Sequence, residues 1–249
     1  MIKALPNIIR AEGEKVYTYY KHEVITKSLQ ENAHNLPVNS KCRFLTSKGK
    51  NGKKRKLDDA TVVLPEQDND PKSERITIMY PKGSTYNIRK SFLYPILEKD
   101  YQILVSPETD LYRRLCWVHT RPNDSFIEIG SDYGFNIGSV VCDKKLGIDK
   151  SAESVATSKK NYPNDDFIEL DLLEIPEEEI IEVLSERKLR NEDVDGGLVV
   201  AIDINGNREL EAVEDCLKRV LECWVPKLVI VKSRSLYAKM TELNIGNDV

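Results

Sequence analysis

The feature that most constrains the fold of this chain is an alternation of apolar runs and helical patterns, which begins at residue 124. Each apolar run is rich in Val, Ile, Leu or Phe and is followed by a turn. Near-continuous apolar strands that alternate with helices indicate a mostly parallel sheet covered on both faces. We therefore predict a doubly wound α/β domain with strands at 125–129, 145–149, 166–171, 197–203 and 226–231.

Helical segments are expected between these strands. Ser151 is a candidate N-cap, because its hydroxyl could accept a hydrogen bond from the first turn of a helix. Glu214 and Lys218 are four residues apart on the last of these segments, so their side chains are predicted to pair. The predicted helices are 135–142, 151–161, 176–189 and 208–224.

Residues 1–107 have a different pattern, which predicts a smaller β-rich domain ahead of an α/β domain at 108–249. Short segments with β-branched or aromatic residues are separated by clusters of Gly, Pro, Asn and Asp. Ser84–Pro95 resembles the end of SH3-like or Tudor-like barrels, and Glu14–Leu29 fits a helix or a hairpin about equally well. The predicted strands are 41–46, 60–64, 75–80 and 101–105.

Charge is distributed unevenly along the chain. Residues 1–109 carry 19 Lys and Arg against 13 Asp and Glu, whereas residues 110–249 carry 18 against 28. The positive excess is greatest at Lys48–Lys56, where six of nine residues are cationic. Such a cluster could contact the phosphates of RNA, serve as a nuclear import signal, or form a solvated loop without a dedicated partner.

Several classes of protein are disfavoured by what the sequence lacks. The five cysteines are odd in number and contain no CxxC, which argues against a disulfide framework and a zinc knuckle, so no metal site is expected. No apolar run approaches the roughly eighteen residues of a membrane span, and Met1–Arg10 lacks the core of a signal peptide. We expect an intracellular protein, cytoplasmic or nuclear, that does not bind membranes.

Acidic residues occur in or directly after four of the predicted strands, where ligands bind in doubly wound sheets. They are Glu128, Asp149, Asp171 and Asp203. The turn after the first strand contains Gly130 and Gly134, but the dinucleotide fingerprint GxGxxG is absent. A diphosphate would meet an acidic cluster here, whereas a cationic nucleoside without phosphate would suit it.

At these residues the sequence resembles the class I S-adenosylmethionine-dependent methyltransferases, over about residues 108–239. Glu128-Ile-Gly-Ser-Asp-Tyr-Gly134 matches the family's first-strand motif except at its middle glycine. The resemblance implies a Rossmann-like fold and S-adenosyl-L-methionine as cofactor. It also implies that Asp149 binds the ribose, Asp171 lies beside the adenine and Asp203 lies beside the transferred methyl group. The implied cofactor-binding residues are Glu128, Gly130, Ser131, Asp132, Gly134, Asp149, Lys150, Asp171 and Leu172.

Two departures from the family pattern affect the prediction. Asp132 replaces a glycine, and only about ten residues follow Lys239, which leaves no room for the last two strands of the family's sheet. Either an N-terminal β segment supplies the missing edge, or the sheet stays short, or the sequence is a fragment.

The strand ends also bear on the chemistry. The residues after the fourth strand do not match motifs for methylating base amines, and no Pro-Cys occurs there, so a hydroxyl acceptor remains. The family's ribose 2′-O-methyltransferases place an Asp and a Lys where this chain has Asp203 and Lys232, which are therefore the candidate catalytic residues. The favoured prediction is a methyltransferase whose acceptor the sequence does not identify, with RNA and protein as the candidates. The alternatives are a non-catalytic binding protein that uses the basic β module and, third, a nucleotide-linked oxidoreductase.

Overall fold

The structure is a computed structural model of the 249-residue chain. It describes residues 38–39, 41–47, 56–63, 75–89, 92–95, 103–142, 144–189, 195–204 and 210–245. Contacts divide the chain into two compact units, of which one is Lys21–Lys99 and the other is Asp100–Val249 with Met1–Tyr20. Glu14–Leu29 and most of the cation cluster Lys48–Lys56 lie outside the described residues, so the predictions for them are untested.

The Lys21–Lys99 unit contains an antiparallel sheet, as predicted for the N-terminal part. Its strands are β1 (Lys41–Ser47), β2 (Lys56–Val62), β3 (Arg75–Met79), β4 (Thr85–Arg89) and β5 (Leu93–Pro95), in the order β4-β3-β2-β1-β5. Alternate residues point to one face, where they form a small apolar core. That core consists of Cys42, Phe44, Ala60, Val62, Ile78, Ile88 and Leu93. Whether this sheet closes as an SH3-like or Tudor-like barrel stays a prediction.

The second unit contains a six-stranded parallel sheet with helices between its strands, which confirms the predicted doubly wound α/β fold. Its central strands are fully buried because helices cover the sheet. The strands are β6 (Ile103–Ser106), β7 (Ser125–Ile129), β8 (Lys144–Asp149), β9 (Asp166–Glu169), β10 (Leu198–Ile202) and β11 (Leu228–Lys232). The helices are α1 (Thr109–His119), α2 (Phe135–Ser139), α3 (Ala152–Asn161), α4 (Glu177–Arg187), α5 (Leu210–Trp224) and α6 (Arg234–Ile245).

The edge strand β6 corrects one detail of the sequence prediction. The segment 101–105 was grouped with the N-terminal β segments, but Ile103–Ser106 joins the parallel sheet, where it pairs with Val229–Lys232 of β11. The sheet order is β6-β11-β10-β7-β8-β9. The strand–helix repeat therefore supplies five strands of the sheet. The sixth strand is β6, which precedes the repeat in the sequence and forms one edge of the sheet.

The order of the strands reverses between β7 and β10. From β7 the chain proceeds to β8 and β9 on one side, and then crosses to β10 and β11 on the other. The carboxyl ends of β7 and β10 therefore lie side by side at the reversal, which is where a doubly wound sheet binds its ligands.

Candidate functional site

A cavity of about 520 Å³ lies at this carboxyl edge. It is lined by residues from the ends of β7, β8, β10 and β11 and from the segments after β9 and at α1. The structure therefore brings together ten of the eleven residues predicted for the site; Gly134 does not line the cavity. The ten are Glu128, Gly130, Ser131, Asp132, Asp149, Lys150, Asp171, Leu172, Asp203 and Lys232.

The turn after β7 forms the cavity wall, and its two glycines are required by geometry. Gly130 has φ +77°, and a Cβ built on it would lie 2.1 Å from the backbone oxygen of Asp203. Gly134 has φ +76°, and its Cβ would lie 2.8 Å from the ring of Phe167. Asp132, at the position of the family's middle glycine, also has positive φ, at 46°. The turn needs left-handed backbone at three positions, which explains its composition.

We expect Gly130→Ala to destabilise the α/β unit by roughly 2 kcal/mol more than Gly134→Ala. Both substitutions place an alanine at a positive φ, so the backbone strain is about equal. The two variants differ in the atoms that the new Cβ would contact. The Cβ at position 130 would meet backbone, and the N–H of that Asp203 is hydrogen-bonded to the carbonyl of Ile129, whereas the Cβ at position 134 would meet a side-chain ring. Chemical denaturation followed by tryptophan fluorescence measures this, since both tryptophans, Trp117 and Trp224, lie in the α/β unit. Equal losses would contradict the close approach at Gly130.

Asp149 connects the turn to the next helix. Its Oδ2 accepts a hydrogen bond from the backbone N–H of Asp132 at 2.9 Å, and its Oδ1 accepts one from the N–H of Ser151, also at 2.9 Å. The Ser151 hydroxyl in turn accepts from the N–H of Ser154 at 3.2 Å, so Ser151 caps α3 as predicted. Both carboxylate oxygens are thus oriented by the backbone, and each keeps a second lone pair for a ligand.

Glu128 is buried in the wall of the cavity, with 3% of its surface exposed. Its Oε1 accepts hydrogen bonds from the Tyr112 hydroxyl at 2.9 Å and from Asn136 Nδ2 at 3.0 Å. Burial raises the pKa of the carboxyl to about 8, and the hydrogen bonds from Asn136 and Tyr112 act in the opposite direction. At neutral pH the carboxyl is therefore mostly protonated.

Because of this raised pKa, the free energy of unfolding is expected to fall as the pH rises. Because the folded-state pKa is raised from about 4.5 to about 8, folding binds a proton between these values, and stability from this group is lost as pH rises through them. In Glu128→Gln the amide can keep the hydrogen bonds to Tyr112 and Asn136 but cannot ionise. We expect its unfolding free energy to gain a few kcal/mol relative to wild type between pH 5 and pH 8.5.

Denaturation at both pH values measures this difference. Glu182→Gln is the matched control, because Glu182 is exposed on α4. A difference between wild type and Glu128→Gln that does not change with pH would contradict the raised pKa.

Asp203 directly follows β10, Lys232 is the last residue of the adjacent strand β11, and the two form an ion pair. Lys232 Nζ donates to Asp203 Oδ1 at 3.0 Å and to Oδ2 at 2.9 Å, and each side chain is 20% exposed. Burial raises the pKa of the Asp203 carboxyl above its usual value, while Lys232 acts in the opposite direction. Both residues line the cavity, so the pair is open to a ligand.

The segment after β9 forms another part of the wall. Asp171 Oδ1 accepts from the N–H of Leu173 at 3.1 Å, which fixes the carboxylate in a tight turn. Leu172 is buried and its carbonyl oxygen accepts from Arg219 of α5 at 3.3 Å. Lys150 is exposed at the end of β8. Carboxylates, an apolar side chain and a cation thus meet on this side of the cavity.

Tyr112, Arg113 and Asn136 also line the cavity but were not among the predicted site residues. The Arg113 guanidinium lies 4.4 Å from the centre of the Phe135 ring, and its charge acts on both Glu128 and Asp203. These residues belong to helices α1 and α2, whose faces are set by packing. The sequence offers a signal for two of them, the adjacent cations of Tyr112-Arg-Arg-Leu115 shortly before the strand at 125–129, and none for Asn136.

Comparisons with known proteins find similarity at a low level. No family model matches this chain, and no curated protein matches it. Among solved structures, the YcgJ protein of Bacillus subtilis aligns over 54% of this chain and 66% of its own, with a TM-score of 0.35 and 11% identity. Protein 1320 of Thermoplasma acidophilum aligns over 49% and 59%, with a TM-score of 0.30 and 14% identity. The chain thus spans less than two thirds of either protein, and likeness at this level identifies no family or activity.

Metal-binding clusters and membrane-spanning helices are both absent from the residues that the structure describes. Those residues contain no group of three or more His, Cys, Asp or Glu placed to hold a metal ion. They also contain no helix with the length and apolar character that crossing a membrane requires.

Proposed function

We propose that this protein is an S-adenosylmethionine-dependent methyltransferase that acts on a hydroxyl group. The observation that carries the proposal is the convergence of four strand-end carboxylates on one cavity, with the ion pair Asp203–Lys232 in its wall. The cavity volume is within the range of small-molecule sites.

The charges of the lining support a cationic nucleoside as ligand. Besides Glu128, whose carboxyl is mostly protonated at neutral pH, four acidic residues line the cavity against three basic ones, so a dinucleotide diphosphate would gain no net attraction. In this proposal Asp149 holds the ribose hydroxyls, Asp171 contacts the adenine, and the turn Gly130–Gly134 approaches the ligand through its backbone. S-adenosylmethionine would supply the electrophilic methyl group.

Asp203 and Lys232 are the proposed catalytic residues. A hydroxyl is a weak nucleophile, and its attack is assisted when a base accepts its proton. Lys232 would first lose one proton to solvent, and its Nζ would then accept the proton of the hydroxyl as the O–CH3 bond forms, the S–CH3 bond breaks and S-adenosylhomocysteine leaves. Asp203 would hold both Nζ and the acceptor in line.

Calorimetry tests the cofactor assignment. S-adenosylmethionine and S-adenosylhomocysteine are expected to bind in the micromolar range, equivalent to about −8 kcal/mol, and NAD is expected not to bind. Binding of NAD in preference to both would overturn the proposal and favour the oxidoreductase alternative.

The cation cluster Lys48–Lys56 supports RNA as the proposed acceptor. Phosphate contacts by lysine and arginine release counterions, so binding weakens as salt rises. We expect Lys53→Gln/Lys54→Gln to weaken binding of a single-stranded RNA and to reduce the slope of log affinity against log salt by up to about 0.7 per lost contact. The matched control is Lys159→Gln/Lys160→Gln, which removes two exposed charges from α3. Fluorescence anisotropy over a salt series measures both, and equal slopes in the two variants would remove the support for RNA.

A further inference from the structure

Arg113 of α1 is a half-buried cation in the cavity wall. Within the described part of the chain its guanidinium forms no hydrogen bond and no ion pair. The central carbon of the guanidinium lies 4.4 Å from the centre of the Phe135 ring, and this cation–π contact holds the flat face of the group. The N–H donors at its edge therefore stay available for an anion, and they match the oxygens of a phosphate.

Tyr133 and Phe135 flank Gly134 in the turn after β7, and both side chains are exposed. The exposed fraction is 52% for Tyr133 and 48% for Phe135. Tyr133 lines the cavity, as Arg113 does, whereas Phe135 contacts the cavity wall through Arg113. Exposed aromatic rings are the groups on which proteins stack unpaired bases of RNA. The ring of Tyr133 is therefore available to a base, while that of Phe135 orients the arginine.

The charged side chains of the cavity differ between its two sides. On the side of β8 and β9, one cation lines the cavity with three carboxylates; these residues are Lys150, Asp132, Asp149 and Asp171. Asp132 belongs to this side because its N–H is bound to Asp149. On the side of β10 and β11, the cations are Arg113 and Lys232, and the carboxyls are Asp203 and Glu128. Glu128 is mostly protonated at neutral pH. The first side therefore suits the cationic cofactor, and the second is the more favourable one for an anion.

Helix α1 places Arg113 on the side of the proposed acceptor. It follows the edge strand β6, whose last residue, Ser106, is in register with Lys232, and it packs on β6 and β11. The proposed ribose and adenine contacts lie at the ends of β8 and β9, and β10 and β7 separate them from β11. In an RNA chain the 2′-hydroxyl and a phosphate are attached to neighbouring carbons of one ribose. A 2′-hydroxyl held at Asp203 and Lys232 would thus bring a phosphate to this side of the cavity.

We propose that Arg113 and Tyr133 bind one unpaired nucleotide of the RNA acceptor, Arg113 through a phosphate and Tyr133 through the base. Phe135 is the positioning residue that holds Arg113. This inference rests on the proposed function, because it assigns residues that hold the acceptor of that same site. No covalent bond to the nucleotide forms or breaks at these residues.

Fluorescence anisotropy with a short single-stranded RNA tests the phosphate contact, over a salt series and with S-adenosylhomocysteine at saturation. Arg113→Gln is expected to weaken binding about tenfold or more and to reduce the slope of log affinity against log salt by up to about 0.7. Arg114→Gln is the matched control, because Arg114 is the next residue of α1, is also half-buried and does not line the cavity. It should keep the affinity and the slope of wild type.

Variants of the two aromatic residues test the other roles. Tyr133→Leu is expected to weaken binding of single-stranded RNA about five- to a hundredfold, the loss that follows from one base stack, without changing the salt slope. Tyr133→Trp should restore the affinity. Binding of the same sequence as a duplex should change little in Tyr133→Leu, because paired bases are not available to the ring. Phe135→Leu should weaken RNA binding in the wild-type background but add nothing to Arg113→Gln, whereas Phe135→Tyr should keep it.

Calorimetry with S-adenosylhomocysteine and with 5′-deoxy-5′-methylthioadenosine, which lacks the amino acid, separates the acceptor from the cofactor. Both affinities are expected to be unchanged in Arg113→Gln and in Tyr133→Leu. If Arg113→Gln weakens binding of S-adenosylhomocysteine alone, Arg113 pairs with the carboxylate of the cofactor, so the inference is wrong and the proposed function stands. If Tyr133→Leu weakens binding of both compounds, the ring contacts the cofactor, and the inference is again wrong.

The remaining outcomes have defined meanings. If wild type binds S-adenosylhomocysteine but no RNA, or if Arg113→Gln and Arg114→Gln have equal slopes, the inference is wrong and methyl transfer to another acceptor stands. If wild type does not bind S-adenosylhomocysteine, both are wrong. Should Arg113→Gln not fold, Arg113→Lys replaces it, since lysine keeps the charge but not the bidentate edge. Weaker RNA binding in Arg113→Lys, with unchanged affinity for S-adenosylhomocysteine, supports the inference, and wild-type RNA affinity overturns it.

Discussion

Replacing Lys232 with Met is expected to reduce methyl transfer at least 100-fold while leaving the affinity for S-adenosylmethionine nearly unchanged. Lys232 Nζ is bound to both oxygens of Asp203 in the cavity wall, and two strands, β10 and β7, separate β11 from β8, whose end carries the proposed ribose contact Asp149. A loss in turnover without a loss in ground-state binding is typical of an interaction made mainly in the transition state. Incorporation of labelled methyl groups into short single-stranded RNA measures turnover, and calorimetry measures affinity.

Lys232→Arg separates proton transfer from the ion pair. Arginine can still pair with Asp203, but it does not give up a proton in proteins. If Lys232 accepts the proton of the hydroxyl, Lys232→Arg should be almost as inactive as Lys232→Met. If the lysine only neutralises Asp203, Lys232→Arg should retain most of the turnover. Unchanged turnover in both variants would contradict the catalytic assignment and favour the non-catalytic binding protein.

Asp149→Ala is expected to weaken S-adenosylmethionine binding ten- to a hundredfold, equivalent to about 1.5–3 kcal/mol. The carboxylate is oriented by the N–H groups of Asp132 and Ser151, so a ribose would find both oxygens in place and little entropy would be lost on binding. Calorimetry with the variant measures the change. Wild-type affinity in Asp149→Ala would overturn the ribose assignment.

A structural effect of Asp149→Ala needs its own control, because the residue also ties the turn after β7 to α3. Ser151→Ala removes the side-chain cap of α3 and leaves the carboxylate in place. A comparable loss of stability in the two variants, with a loss of affinity only in Asp149→Ala, would assign the effect to the ligand contact. A comparable loss of affinity in both would assign it to the start of the helix.

The sequence predicted the parallel sheet well because its strands are buried on both faces and therefore apolar throughout. Ser125–Ile129 was predicted residue for residue, and the cap at Ser151 followed from the side-chain chemistry of a first turn. The position of β6 could not be predicted in this way. Three apolar residues and a serine suit an edge strand in either sheet, and the choice depends on pairing with a strand more than a hundred residues later.

The carboxylates that line the cavity could be predicted from the sequence because the carboxyl ends of parallel strands meet at one edge of the sheet. This holds for any conformation of the loops that follow the strands. Tyr112 and Asn136 were missed because they project from helices, whose rotation is set by packing. The predicted pair Glu214–Lys218 was wrong for the same reason. Lys218 lies 3.9 Å from Glu222, and Glu214 is paired with Lys239 of α6, a partner that helical spacing does not reveal.

The pairing of β6 with β11 has a consequence for how the sheet is completed during synthesis. β6 is the first strand of the parallel sheet to leave the ribosome, and its partner β11 is the last. Until β11 emerges, β6 has no neighbour in that sheet, and β10 has an open edge where β11 will insert. Contacts between segments so far apart in the chain form slowly. β6 therefore lacks its partner in the parallel sheet for most of the synthesis of the α/β unit, a period in which chaperone protection would matter most.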